Sequence, residues 1–202
     1  RLATLKFLDP ACGCGNFLVI AYRELRLLEL EIIKRQFATQ QSVLAHVQDH
    51  VLVDVDQFHG IEIEEFPAQI AQVAMWLMDH QMNLRVAEQF GETVVRLPLK
   101  KSAAIVHGNA LRIDWNEVVP AAELDYILGN PPFVGKKEQN AEQKKDMASV
   151  FAGVRGAGVL DFVSAWYVKA AGLMRVNAGM RAAFVSTNSI TQGEQVGVLW
   201  SE

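Results

Sequence analysis

With 202 residues, 50% apolar and 21% charged, the chain has the material of one globular domain with a sizeable core, not of a disordered or fibrous protein. No apolar run approaches the roughly 18 residues of a membrane span and no signal peptide opens the sequence, so a membrane partner is not expected. Nineteen Lys and Arg against 23 Asp and Glu give a net charge of −4, which excludes a broad basic field that holds nucleic acid through phosphates alone.

Leu5 to Asp9 is short, apolar and bounded by Pro10 and glycines, the pattern of a buried strand. A helix is expected from Asn16, with Leu18, Ala21, Tyr22, Leu25, Leu28 and Ile32 as its apolar stripe. A second amphipathic piece runs from Gln41 to Gln48, and Phe58 to Glu62 reads as another strand. Glu64, Glu65 and Pro67 mark a helix start, with Ile70, Val73, Ala74 and Leu77 as its buried face. Ala103 to His107 and Asp125 to Gly129 are strands three and four. The segment from Val134 to Gly158 mixes lysines, acids and glycines and reads as an exposed excursion. Val163, Trp166, Tyr167, Ala170 and Met174 repeat the helical spacing, and Arg181 to Ser186 is a fifth strand. Strands alternating with helices predict right-handed crossovers and a parallel, doubly wound α/β sheet. No repeat or linker divides the chain. It enters a strand soon after Arg1 and stops within a helical stretch at Trp200-Ser201-Glu202, so it is read as a fragment of a longer polypeptide.

Between the first strand and helix lies Asp9-Pro10-Ala11-Cys12-Gly13-Cys14-Gly15-Asn16-Phe17. Small residues and glycines let the backbone approach a ligand, and this is where doubly wound sheets bind nucleotides. The loop is neither GxGxxG nor a Walker motif; without a following Lys-Ser or Lys-Thr a triphosphate is a poor fit. Asp9 repels phosphate and welcomes an ammonium group. Glu62, ending the second strand, suits the two hydroxyls of a ribose, and Ile63 beside it suits one face of an adenine. Cys12 and Cys14 lack the spacing of a disulfide framework or a zinc site, which favours a reducing, cytoplasmic setting. His46 and His50 stand four apart but lack the intervening Glu of a zincin; they read as a solvated helix face, and no metal is expected.

Gly129-Asn130-Pro131-Pro132-Phe133 ends the fourth strand. A residue before proline is pushed into extended geometry, so Asn130 is held rigidly; two prolines remove two donors and leave carbonyls as the available polar groups. The Asn130 side-chain oxygen and the Pro131 carbonyl then form a pair of acceptors, with Phe133 as a flat plate beside them. Paired acceptors suit a planar NH2 whose lone pair is delocalised, because accepting both N–H bonds returns electron density to nitrogen as it turns tetrahedral.

The loop at 9–17 followed by Asn-Pro-Pro-Phe at 130–133 resembles the S-adenosylmethionine loop and catalytic motif of amino-methylating DNA methyltransferases, in the order of the gamma class of N6-adenine enzymes. Gly60 to Phe66, Ala74 to His80 and Ser186 to Gln195 are most similar to the methyltransferase region of Type IIL restriction-modification enzymes. The resemblance implies a partial Rossmann-like methyltransferase sheet, five predominantly parallel strands in the order 3-2-1-4-5. The C-terminal antiparallel hairpin, the cofactor-covering helix and the target recognition domain are expected outside residues 1–202. It implies that Asp9, Pro10, Ala11, Cys12, Gly13, Glu62, Ile63, Asn109 and Ala110 hold S-adenosylmethionine. Asn109 stands where many relatives place an Asp that meets the cofactor's adenine amine, a bond an Asn oxygen also accepts. Asn130, Pro131, Pro132 and Phe133 would act on a flipped adenine of double-stranded DNA. Lys136 and Lys137, in an excursion with an excess of two positive charges, are the local candidates for phosphate contact. The rival readings are a protein-glutamine or RNA base methyltransferase and a non-catalytic nucleotide-binding scaffold.

Overall fold

The computed structural model describes residues 1–37, 47, 49–91 and 102–201. Five strands form one parallel sheet: β1 (Phe7–Asp9), β2 (Phe58–Glu62), β3 (Ala104–His107), β4 (Tyr126–Gly129) and β5 (Arg181–Phe184), in the order β3-β2-β1-β4-β5. The expected order and parallel pairing are both found. The winding reverses between β1 and β4, which opens a crevice beyond the carboxyl ends of the central strands.

Helix α1 (Asn16–Phe37) follows β1, and α2 (Glu65–Phe90) follows β2. The one-turn α3 (Trp115–Val118) precedes β4, and α4 (Ala141–Val150) and α5 (Ser164–Val176) join β4 to β5. Short 3-10 turns and α6 (Val196–Leu199) end the chain, where a helical stretch is expected. The helical piece expected over Gln41 to Gln48, with His46, lies outside the described residues apart from Val47. Among the described residues, no helix is long and apolar enough to cross a membrane.

Side chains alternate across each strand and so feed two cores. On one face, the register sets Phe7 beside Phe58 and Tyr126, and their stacked rings lie 4.7 and 5.2 Å apart. This aromatic row packs with Leu18, Tyr22 and Met75 of α1 and α2. On the other face Leu8, Ile61 and Ile127 pack with Trp115, Val163 and Trp166. Each such fully buried side chain contributes about 1.5–3 kcal/mol relative to exposure.

Two expectations about helix faces are corrected. In α1, Leu18 and Tyr22 are buried as expected, but Leu28 and Ile32 are exposed and Arg26, Glu29, Leu30 and Ile33 are buried instead. In α2 the buried face is Ala68, Ala71, Met75, Asp79, Met82, Asn83 and Val86, while Val73 and Leu77 are exposed. The cause is a polar core between the two helices. The Arg26 guanidinium donates to the Tyr22 hydroxyl (2.8 Å), Asp79 (3.2 Å) and Asn83 (3.0 Å) and pairs with Glu29 (3.4 Å). A pattern that counts only apolar residues rotates both helices away from these side chains.

The excursion is corrected as well. It contains α4, whose N-terminus is closed by a capping box between Asn140 and Gln143. Asp146, Met147 and the following Phe151 are buried against the second core. A helix of ten residues with so few apolar positions gives almost no periodic signal.

Candidate active site

The loop after β1 is stitched to the end of β2. Gly13 N–H donates to Glu62 Oε2 (2.9 Å), Glu64 N–H to Glu62 Oε1 (3.0 Å) and Cys12 N–H to the Ile61 carbonyl (3.1 Å). Gly15 takes φ 85°, in the left-handed region, and a Cβ there would lie 3.1 Å from Ala71 Cβ, so the loop seats directly on α2. These bonds fix the Glu62 carboxylate from behind.

Asp9 lies beneath the loop, 1% exposed, and accepts from Ala11 N–H (3.0 Å). Burial pushes its carboxyl up to about 7 against the pull of that N–H, and the charge of Glu62 adds to the rise. Burial, then Asp9 and Glu62, push the Cys12 thiol up as well, so it is no nucleophile. The loop floor thus holds two crowded acids, and a cationic ligand there would favour their charged forms.

One cavity of about 690 Å³ opens above this floor, a size that suits a nucleoside-sized ligand. Pro10, Ala11, Glu62, Ile63, Asn109 and Ala110 line one side of it, and Asn130 and Pro132 the other. Eight of the expected site residues therefore line one cavity. Asp9 and Cys12 sit under the loop, Gly13 braces Glu62 and Pro131 is buried. Phe133 stands 46% exposed outside the lining. Lys136 and Lys137 do not line the cavity; Lys136 is ion-paired with Glu194 (2.8 Å) and Lys137 is exposed.

Asn130 reaches the cavity because β4 runs close beside the loop. A Cβ on Gly129 would stand 2.5 Å from Asp9 Oδ1, so only a bare glycine permits the approach. Asn130 is exposed, and among the described residues its amide is bound by no other group. A short extended residue with an unengaged oxygen, fixed by the prolines that follow, is a preorganised acceptor.

Asp161, just before α5, organises the loop that follows Phe133. It accepts from Lys136 N–H (3.2 Å) and from the Gln195 amide (3.0 Å), while its own N–H donates to Gln195 Oε1 (2.9 Å). Burial pushes its carboxyl up, but hydrogen bonds from Gln195, Ser189 and Lys136 more than offset this and hold it below the usual carboxylate range. This ties the 188–195 stretch to the loop beyond the Asn-Pro-Pro-Phe motif.

Other cavity residues carried no signal in the sequence. Trp166 fell on the expected buried stripe of its helix, but its indole N–H also donates to the Pro10 carbonyl (3.0 Å) and it lines the cavity with Phe162. Arg112 and Asp146 line it too. There the Asn109 oxygen accepts from Leu111 N–H (2.9 Å) and its NH2 donates to Asp146 (2.8 Å). The oxygen expected to meet a ligand is engaged by the backbone.

All 202 residues match the family model described as MmeI, DNA-methyltransferase domain. DNA methyltransferase A of Bacillus subtilis (strain 168) is 46% identical over 206 residues, covering 100% of this chain and 23% of that protein. The solved structure of the Type IIL restriction-modification enzyme MmeI in complex with DNA superposes with a TM-score of 0.94 at 56% identity, over 99% of this chain and 27% of that one. A nuclease-deletion mutant of the Type ISP enzyme LlaGI shares the fold, with a TM-score of 0.56 at 17% identity over 98% of this chain and 17% of that chain. The chain thus spans about a quarter of the length of DNA methyltransferase A and of the MmeI chain. The sheet order, the loop stitched to Glu62 and the Asn-Pro-Pro-Phe strand end accompany a match over the full sequence, and the chain belongs to the MmeI DNA-methyltransferase domain family.

Proposed function

We propose that this chain is the catalytic domain of a restriction-modification protein and moves a methyl group from S-adenosylmethionine to the N6 amine of an adenine in double-stranded DNA. The observation that carries the reading is the shared cavity. Glu62 and Ile63 stand on one wall, and the unengaged amide of Asn130 stands on the other.

The residues present fit the donor. Glu62, braced by two backbone N–H groups, accepts from a ribose diol, and Ile63 covers a purine. A sulfonium or ammonium group beside Asp9 and Glu62 would favour the charged form of the buried Asp9 carboxyl. S-adenosylmethionine, when bound, supplies an electrophilic methyl group. Asn130 Oδ1 and the Pro131 carbonyl accept the two N–H bonds of the target amine, and Phe133 stacks on its ring, contributing about 1–3 kcal/mol. Flipping the base out of the duplex costs a few kcal/mol. Positioning the amine in line with the methyl provides much of the rate gain. Lys136 and Lys137 contact phosphates, Lys136 after leaving Glu194.

The test is product chemistry. The full-length protein is given methyl-labelled S-adenosylmethionine with duplex DNA, RNA or a protein extract, and the products are digested. Label is expected in DNA alone and, after digestion to nucleosides, in N6-methyladenine. Label in methylcytosine rejects the adenine assignment. Label in glutamine or RNA supports the corresponding rival reading, and cofactor binding with no transfer to any acceptor supports the scaffold.

A further inference from the structure

Helix α4, which a reading of the sequence leaves as exposed chain, contributes Glu142, Gln143 and Asp146 to the cavity lining. Asp146 on its inner face is buried, with 7% of its side chain exposed. One of its oxygens accepts from Arg112 Nε (2.6 Å) and the other from Asn109 Nδ2 (2.8 Å). Glu142, one turn earlier, is 60% exposed and spends its oxygens on Arg112 and Lys145. Both carboxylates line the cavity, and Asp146 is the buried one of the pair.

The orientation of Asn109 follows from its partners. Leu111 N–H is only a donor and the Asp146 carboxylate only an acceptor, so the amide oxygen must face the first and the NH2 the second. Asn109 thus stands beside the cavity as a donor with a second N–H to spare. An acceptor and a donor, Asp146 Oδ2 and Asn109 Nδ2, lie 2.8 Å apart on one wall of the cavity. A carboxylate oxygen has lone pairs for a further bond even after accepting one.

The base edge of adenine offers the complement: an amine that donates beside a ring nitrogen that accepts. We infer that Asp146 and Asn109 together read the purine edge of the nucleoside cofactor, Asp146 accepting from the amine and Asn109 donating to the adjacent ring nitrogen. The carboxylate for the amine comes from α4, across the cavity rim, and not from the end of β3. Arg112 holds α4 in place by pairing with Asp146 and Glu142. The inference rests on the proposed use of S-adenosylmethionine and deepens it, since it makes the helix after the catalytic motif part of the cofactor site.

The experiment compares binding of S-adenosylhomocysteine and S-inosylhomocysteine to the full-length protein by calorimetry. Inosine presents the reversed edge, an N–H beside a carbonyl. The wild type is expected to prefer the adenosine compound by at least 30-fold. Asp146→Asn should weaken it by tenfold or more while changing the inosine compound less than threefold. Arg112→Gln removes the latch to α4 but leaves the carboxylate, and should preserve most of the preference. Equal discrimination in Asp146→Asn and wild type overturns the inference while leaving the cofactor reading intact. Equal loss in Arg112→Gln and Asp146→Asn also overturns it, by reducing Asp146 to a structural latch. A wild type that binds neither compound removes the cofactor reading and the inference with it. Thermal melting of each variant separates unfolding from loss of binding.

Discussion

Asp9 ends the first strand with its carboxylate under the glycine loop and hard against Gly129. Because burial raises its folded-state pKa to about 7, the native protein binds its proton more tightly than the unfolded chain does. The associated stabilisation is fully present below about pH 4, falls as pH rises, and is gone above about pH 7. The ceiling of the effect is about 4 kcal/mol, from the roughly 1.4 kcal/mol carried by each pKa unit. Asp9→Asn removes the titration. Urea midpoints from pH 5 to pH 8 should therefore show the variant gaining on the wild type as pH rises, and parallel curves would contradict the burial of this charge. The sequence assigned Asp9 to a cationic ligand from its place in the loop. Its protonation behaviour depends on the approach of β4, which no local pattern contains.

Helices α1 and α2 meet across Arg26, which is fully buried and bonded to Tyr22, Asp79 and Asn83. Removing one side of a buried charge cluster leaves the other side desolvated. Arg26→Ala, which takes the guanidinium from Asp79 and Glu29, should lower stability by about 3–5 kcal/mol. Arg35→Ala breaks only the exposed pair with Glu31 and should stay within about half a kcal/mol. Chemical denaturation of both variants checks the contrast, and equal losses would refute it. The starts of both helices are legible in the sequence, one where the glycine loop gives way to an apolar stripe at Asn16 and one at the acids and proline of 64–67. Their faces are not legible, because an apolar stripe runs through residues such as Val73 and Leu77, whereas charged and amide side chains fill the seam. Helix α4 is hidden for the same reason: Asp146 and Met147 are buried in a segment that otherwise looks solvated.

At the scale of the whole molecule, the five strands and their order were legible because alternating strands and helices admit few parallel arrangements. The two motifs, more than 100 residues apart, meet because β1 and β4 are neighbours at the point where the winding reverses. What the sequence did not disclose is the third side of the cavity, where Asp146, Arg112 and Trp166 come from segments whose own patterns concern packing or solvation. On the proposed function, labour is divided within one cavity: the β2 side binds the donor and the β4 side activates the amine. Steady-state methyl transfer to duplex DNA, with S-adenosylmethionine varied, tests it in wild type, Glu62→Ala and Asn130→Ala. Glu62→Ala is expected to raise KM for the donor tenfold or more with kcat within a factor of about three. Asn130→Ala is expected to cut kcat at least 100-fold, about 2.7 kcal/mol of transition-state stabilisation, with donor affinity unchanged. An Asn130→Ala enzyme that keeps its kcat, or one whose only defect is donor affinity, would overturn this division.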